Sequence, residues 1–458
     1  MHTRLIPAAI MAAVLATPGT TAFAQDNADA ARRQDFDARL FDSPALATPY
    51  RENLGEDEKL AGLAKFWSEV KYNFVYVDKL KELDWDRLYL ETIPKVRATT
   101  STLEYYRVLA ELCARLQDGH TNVYPGPELR KLMMARPMFS THFVEGKVLV
   151  REVFDPALAA KGVQPGVEVA AVNGEPSVAY AQRELVPVIS ASTPQDMERR
   201  AYGFHFLAGA QKDVLRVGFR TAAGKAFELE TPRVDIETFI KAAYGREPFE
   251  LRMLPGNVAY VALNSFGDDR AADAYVAAFE RIAKASALVI DVRNNGGGNS
   301  HVGYRVLATL VDKPFATSAW STRQYLPSYR AWNKPMPDFA QQAGNWEPDG
   351  KRHFTGPVAV LTSGATYSAA EDFAVAFDAM KRGLIVGEAT GGSTGQPLFV
   401  SLPGGGSARI CTKADTYPDG TRWVGKGIRP AVAVKPTLAD LRRGRDTVLE
   451  AALARLRK

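Results

Sequence analysis

Residues 287–293, Ala-Leu-Val-Ile-Asp-Val-Arg, make an almost uninterrupted apolar run. A strand with one wet face alternates apolar and polar side chains. A run without alternation reads as a strand covered on both faces, as in a largely parallel sheet flanked by helices. The surrounding chain keeps to that plan. Strand patterns at 258–266, 357–361 and 384–386 alternate with helical patterns at 269–285, 300–311 and from 369 onward; Ala272, Tyr275, Val276 and Phe279 share one helical face. Further strands are expected at 398–402, 408–413 and 428–434, and a closing helix at 439–456. Residues 255–458 are therefore expected to form an α/β core with right-handed crossovers. Residues 312–355, rich in Pro, Trp, Tyr and Asn, read as a long irregular loop near a site.

The first half of the chain follows other periods. With 458 residues, about three domains are expected. Over 57–124 apolar residues recur at helical spacing: Leu60, Leu63, Ala64, Trp67 and Val70 form one stripe, and 83–96 and 103–116 give two more helices. This helical domain ends at Gln117-Asp118-Gly119-His120-Thr121, with Gly119 as the expected helix stop. Residues 139–232 carry short alternating strands at 139–143, 148–153, 167–172 and 214–219, with an Asn173-Gly174 turn. The layout of this β-rich domain resembles a PDZ domain, a fold that adds extended peptides to a sheet edge; a plain β insert is the alternative. Residues 25–56 are polar and aperiodic, a loose lead-in.

Residues 1–24 hold Arg4 as their single charge, an apolar stretch from Leu5 to Leu15, and Ala22-Phe23-Ala24 before Gln25. This is the pattern of a secretory signal peptide, too short to span a bilayer. An exported, periplasm-type location is expected. No other stretch is long and apolar enough for a membrane span. The formal charge of +5 is mild, and no Lys/Arg block favours nucleic acid. Two Cys and six His give no zinc-type set. Cys113 lies among apolar helix positions and is expected as a buried thiol; Cys411 stands far from it in sequence. No metal or cofactor is expected.

Three stretches compete for chemistry. Ser368 falls where the strand pattern 357–361 gives way to a helix, and a helix N-terminus offers free N–H groups and partial positive charge to an oxyanion. An isolated Ser at that position is more often only a cap. Asn294-Asn295-Gly296-Gly297-Gly298 follows the buried strand, where backbone N–H groups can face a ligand; a packing turn explains it equally well. Gly391-Gly392-Ser393-Thr394-Gly395 matches G-x-S-x-G, but Gln396-Pro397 and a strand follow where a nucleophile elbow needs a helix, so the match reads as chance. A base for Ser368 is open among His120, His142, His205, His301, His353, Lys413 and Lys426, because such constellations are spatial.

Six stretches, taken in order, change the odds: 116–121 (LQDGHT), the PDZ-like segment, 288–298 (LVIDVRNNGGG), 366–371 (TYSAAE), 387–392 (GEATGG) and 425–430 (GKGIRP). The ordered set resembles the C-terminal processing (tail-specific) serine protease family, and within it the tricorn-core-like branch, over roughly residues 57–456. The resemblance implies a helical N-terminal part, a PDZ-like domain and a ClpP/crotonase-like α/β catalytic core. It implies Ser368 as nucleophile, with Ala369 and Gly297 or Gly298 as oxyanion donors. The tail-specific Lys belongs about where Ser393 stands and is absent, so His120, in the tricorn-like motif, is the implied base. That branch carries a Ser where Gly119 stands and an acid where Val424 stands. The group orienting His120 is thus open among Glu388, Asp118 and Asp415, with Glu388 preferred, or a carbonyl or water. The function expected is an exported endopeptidase acting on peptides or unfolded protein. A peptide receptor with a degenerate core, or a hydrolase of non-peptide esters or amides, are the alternatives.

Overall fold

The computed structural model describes Phe41 and residues 43–457. The expected signal peptide lies outside the described residues, as does most of the stretch that follows it.

The C-terminal core is built on a six-stranded sheet. Val258–Leu263, Ala287–Asp291, Val358–Thr362, Leu384–Gly387 and Val432–Ala433 run parallel in that spatial order, and Phe249–Leu254 closes one edge antiparallel. Every residue of the strands 258–263, 287–291 and 358–362 is buried. The pleat divides them: Leu288, Ile290 and Val360 pack with helices Arg270–Ala277, Ser300–Leu307 and Ala369–Ala379. Val289, Ala359 and Leu361 pack on the opposite face with Val448 and Ala452 of helix Thr447–Leu456. The absence of alternation in the sequence is therefore the signature of a sheet covered twice.

Helices Glu56–Asn73, Trp85–Arg97 and Thr102–Ala114 share a core with Val400, Leu402, Ala408, Ile410 and Cys411 of the hairpin Pro397–Leu402/Gly406–Cys411. Strand Asn122–Tyr124 pairs antiparallel with the same hairpin. The helical part is thus completed by residues nearly 300 positions downstream. The lead-in is not loose along its whole length. The Thr48 carbonyl accepts from Gly405 N–H (2.8 Å), the Arg51 carbonyl accepts from Thr102 Oγ1 (2.6 Å), and Leu54 is buried.

The β-rich unit is an antiparallel sheet of Phe139–Val144, Lys147–Val153, Glu168–Val172, Arg216–Arg220 and Ala226–Glu230, in that order. Its outer strand lies along a helix, Pro194–Arg199, continued by a π-helical turn, Arg200–Phe204. Thr141 Oγ1 donates to the Tyr202 carbonyl (2.6 Å), and Phe143 stacks on Tyr202. Residues 312–355 are not the irregular loop expected. Ala319–Arg323 pairs with Asp338–Gln341 on one side and Ala414–Thr416 on the other, with helix Pro327–Ala331 between the first two. These strands are short and partly exposed, so they leave no periodicity to read. The closing helix is two helices, Leu438–Arg442 and Thr447–Leu456. Cys113 and Cys411 are buried free thiols. Among the described residues no helix is long and apolar enough to cross a membrane, and no cluster of three or more His, Cys, Asp or Glu could hold a metal ion.

Candidate active site

The buried strand Val358–Thr362 leads into a turn stitched to the end of its neighbour. Ser363 Oγ donates to the Arg293 carbonyl (2.7 Å), Thr366 Oγ1 to the Val292 carbonyl (2.9 Å), and Tyr367 N–H to the Asn295 carbonyl (3.0 Å). Ser368 closes the turn at φ 55°, ψ −125°, ahead of helix Ala369–Ala379. A side chain other than glycine pays strain energy in this backbone region, which surrounding contacts must impose. Ser368 is the N-cap residue of that helix, and its N–H donates to Glu371 Oε2 (3.1 Å), but its Oγ makes no cap hydrogen bond and lies 3.2 Å from His120 Nε2.

His120 follows helix Thr102–Ala114 by a short turn in which Gln117, at φ 48°, takes the left-handed position. Gly119 is not the helix stop expected. It is there for space: a Cβ on it would sit 1.9 Å from Tyr367 Oη and 2.7 Å from Asp196 Oδ2. The Tyr367 ring stacks on the imidazole at 5.0 Å, nearly parallel. Pieces of the β-rich unit clamp the same loop. Gly119 N–H donates to Ser192 Oγ (2.9 Å), Ser190 Oγ donates to the Asp118 carbonyl (2.7 Å), and Arg200, paired with buried Asp196 (2.7 Å), donates to the Gly119 carbonyl and to Tyr367 Oη.

The second nitrogen of His120 meets Ser393 Oγ at 2.8 Å. For Nε2 to accept the Ser368 proton, Nδ1 must carry the ring hydrogen, and Ser393 Oγ is then its acceptor. The preferred orienting acid is not there: Glu388 faces Lys435 (4.0 Å) and has no contact with His120. Asp118 accepts from Thr121 Oγ1 (2.6 Å), and Asp415 pairs with Lys413 (2.8 Å). The hydroxyl that fills the role belongs to the G-x-S-x-G match set aside as chance. Its sequence position, about where the tail-specific Lys would stand, is the signal that marks it.

His120 is only 4% exposed. Burial first, then the cations Arg409, Arg200 and Lys413, hold its pKa well below the ordinary histidine value, so the imidazole is neutral at pH 7. The remaining candidates do not reach Ser368. His301 packs at a tilt against Trp346, and Lys426 is exposed. Burial opposes the charge of Lys413, but Asp415 and Asp372 outweigh it and raise its pKa, so it stays protonated.

Glu371 ties both halves together. Its buried carboxyl accepts from Ser368 N–H, Thr390 Oγ1 (2.5 Å), Gly392 N–H (2.7 Å) and Ser393 N–H (3.1 Å). Burial pushes its pKa up to about 8 against the pull of those four donors. On the other side of Ser368 lies the glycine loop. A Cβ on Gly297 would come within 2.7 Å of Ser368 Cβ and 2.9 Å of Ala369 N, so only glycine lets this backbone approach the turn. Gly297 N–H is committed to Asn295 Oδ1 (2.9 Å), whereas Gly298 N–H and Ala369 N–H have no protein acceptor among the described residues.

The site brings a serine hydroxyl, a neutral imidazole and two backbone N–H groups without a protein acceptor together at the end of a doubly covered sheet. Residues 257–434 match the family model for Peptidase family S41. The chain is 30% identical over 181 residues to the chloroplastic C-terminal processing peptidase of Tetradesmus obliquus, covering 39% of this chain and 35% of that protein. It is 28% identical over 162 residues to the carboxyl-terminal-processing protease of Picosynechococcus sp. (strain ATCC 27264 / PCC 7002 / PR-6), covering 35% of each. The alignments thus span about a third of these relatives' length. Among solved structures, mature CPAF complexed with lactacystin shares the fold with a TM-score of 0.68 at 14% identity, over 85% of this chain and 95% of that one.

Proposed function

We propose that the protein is an exported serine endopeptidase that cleaves peptide bonds through an acyl-enzyme on Ser368. The observation that carries this reading is the 3.2 Å contact between Ser368 Oγ and the neutral His120 Nε2, at a serine held in a strained strand-to-helix turn. His120 takes the hydroxyl proton as Oγ attacks the peptide carbonyl. The oxyanion is received by Gly298 and Ala369 N–H, with each donor worth roughly 10²–10³ in rate. His120 returns its proton to the leaving amine, and water, activated by the same imidazole, releases the acyl group. Ser393 fixes the ring tautomer without supplying charge. The PDZ-like reading of residues 139–232 makes an extended peptide the substrate, and the signal-peptide pattern at 1–24 makes the site of action extracytoplasmic.

The test is labelling of the full chain by a serine-directed fluorophosphonate, alongside turnover of casein. Wild type is expected to label and to cleave, and Ser368→Ala and His120→Ala to do neither. Labelling retained in either variant removes that residue from the mechanism. A wild type that neither labels nor cleaves points instead to a peptide receptor.

A further inference from the structure

The residue before Ser368 has no part in the proposed mechanism, yet three regions of the chain are shaped around it. Tyr367 is 6% exposed, and its ring lies within 5° of parallel to the His120 imidazole, with centroids 5.0 Å apart. Two loops are cleared for that ring. A Cβ on Gly119 would collide with Tyr367 Oη; one on Gly391 would collide with Tyr367 Cδ2 and lie 2.9 Å from Cε2. The far end of the ring is fixed by Arg200, whose Nη2 donates to Tyr367 Oη (3.0 Å) while its Nε is held by Asp196 (2.7 Å). The near end is fixed by the backbone, through Tyr367 N–H and the Asn295 carbonyl (3.0 Å). Burial raises the pKa of the phenol, so the ring stays neutral.

A ring held this way acts on the imidazole in two respects. It fixes the imidazole plane, in which Nε2 meets Ser368 Oγ (3.2 Å) and Nδ1 meets Ser393 Oγ (2.8 Å). It also presents a π face, the negative side of its quadrupole, to a group that turns cationic on taking the Ser368 proton. The other charged groups around His120 give the cation no help. Arg409, Arg200 and Lys413 oppose it. Asp118 is turned to Thr121 (2.6 Å), Asp196 to Arg200 and Asp415 to Lys413 (2.8 Å). Among the described residues no carboxylate meets either ring nitrogen.

We propose that Tyr367 is a positioning residue that stands in for a triad carboxylate: its ring sets the plane of the His120 imidazole, and its π face supports the imidazolium formed as Ser368 attacks. The proposal rests on the peptidase reading and assigns the third group of that site. A π face is a weaker partner than a charge, so the effect to be measured is modest and needs a series that keeps the ring's shape. Tyr367→Phe is made in the full chain, together with mono-, di- and trifluorinated phenylalanine at the same position. Fluorine drains the π face with little change in size, so a ring that only fills space would not respond. Tyr367→Phe should keep most of the wild-type kcat. Along the fluorinated series kcat should fall stepwise, to about tenfold below Tyr367→Phe, with KM unchanged. The acid limb of kcat/KM should move to lower pH, because an imidazolium with less support gives up its proton more readily. Equal kcat across the series, or a change in KM alone, overturns the proposal. A second arm needs no turnover. The imidazole resonances of His120, identified by their loss in Ser368→Ala/His120→Gln, are titrated by NMR in Ser368→Ala/Tyr367→Phe and its fluorinated forms. Protonation should shift to lower pH with each fluorine, and coincident titrations overturn the proposal. A wild type that neither labels with the fluorophosphonate nor cleaves casein rejects the peptidase reading, and the titration still decides whether the ring supports the cation.

Discussion

The two halves of the proposed catalytic pair are built in different ways. Ser368 stands on one contiguous strand, turn and helix inside a doubly covered sheet, and its turn is fixed by hydrogen bonds to the adjoining strand's end. His120 stands on a loop whose walls come from the helical part, from residues 190–200 of the β-rich unit and from residues 390–393. The serine side is held by a buried carboxyl, Glu371, whereas the histidine side is surrounded by cations and meets a neutral hydroxyl. On the proposed mechanism the labour is divided: the serine half holds the strained turn and the free N–H groups for an oxyanion, and the histidine half offers a neutral base with little electrostatic support for the imidazolium it would become.

The largest expected effect tests whether the halves act as one unit. Ser368→Ala and His120→Ala should each lower kcat by about 10⁴-fold or more, and the double variant should be no worse than either single one. An additive double variant would separate the pair. Glu371→Ala strikes the tie between the halves: it strips the acceptor from four buried donors, each costing roughly 1–3 kcal/mol where it is left unpaired, and should lower stability by several kcal/mol, read by denaturant unfolding. Ser393→Ala strikes the histidine half and should cost far less. A neutral hydrogen bond worth about 1 kcal/mol corresponds to roughly a fivefold loss in kcat. A loss near 10⁴ would mean that Ser393 governs the tautomer as a triad carboxylate does. The smallest effect is in the pH profile. A histidine with a lowered pKa keeps its base form as pH falls, so the acid limb of kcat/KM should lie below pH 6.5. A limb above that value would mean a carboxylate supports His120.

The same division explains what could be read from the residues. The covered sheet and Ser368 were legible because burial on both faces and a strand-to-helix change leave local patterns. The family resemblance then singled out His120, but not its surroundings. Ser393 lies 273 positions from His120, and nothing local marks a serine in a glycine-rich loop as a histidine partner. Glu388 follows a core strand in sequence, but in three dimensions it turns toward Lys435, and no local pattern distinguishes that from a turn toward His120. Glycine after a helix reads as a stop, yet at Gly119 the requirement comes from Tyr367, on the turn that carries Ser368. The strands between 312 and 355 were missed because short edge strands gain their shape from partners such as Ala414–Thr416 rather than from their own sequence.

The hairpin that completes the helical core has a consequence for the life of the chain before it is whole. Strand Asn122–Tyr124, two residues past His120, rests on Gly406–Cys411, and the Cys411 N–H is received by Thr121 Oγ1. Synthesis runs from the N-terminus, so the histidine is made early and has no floor until some 290 further residues have been added. A growing or prematurely ended chain carries every residue of the base loop and none of its support. On the proposed mechanism, activity therefore waits for the hairpin at 397–411, although the base itself is made long before it.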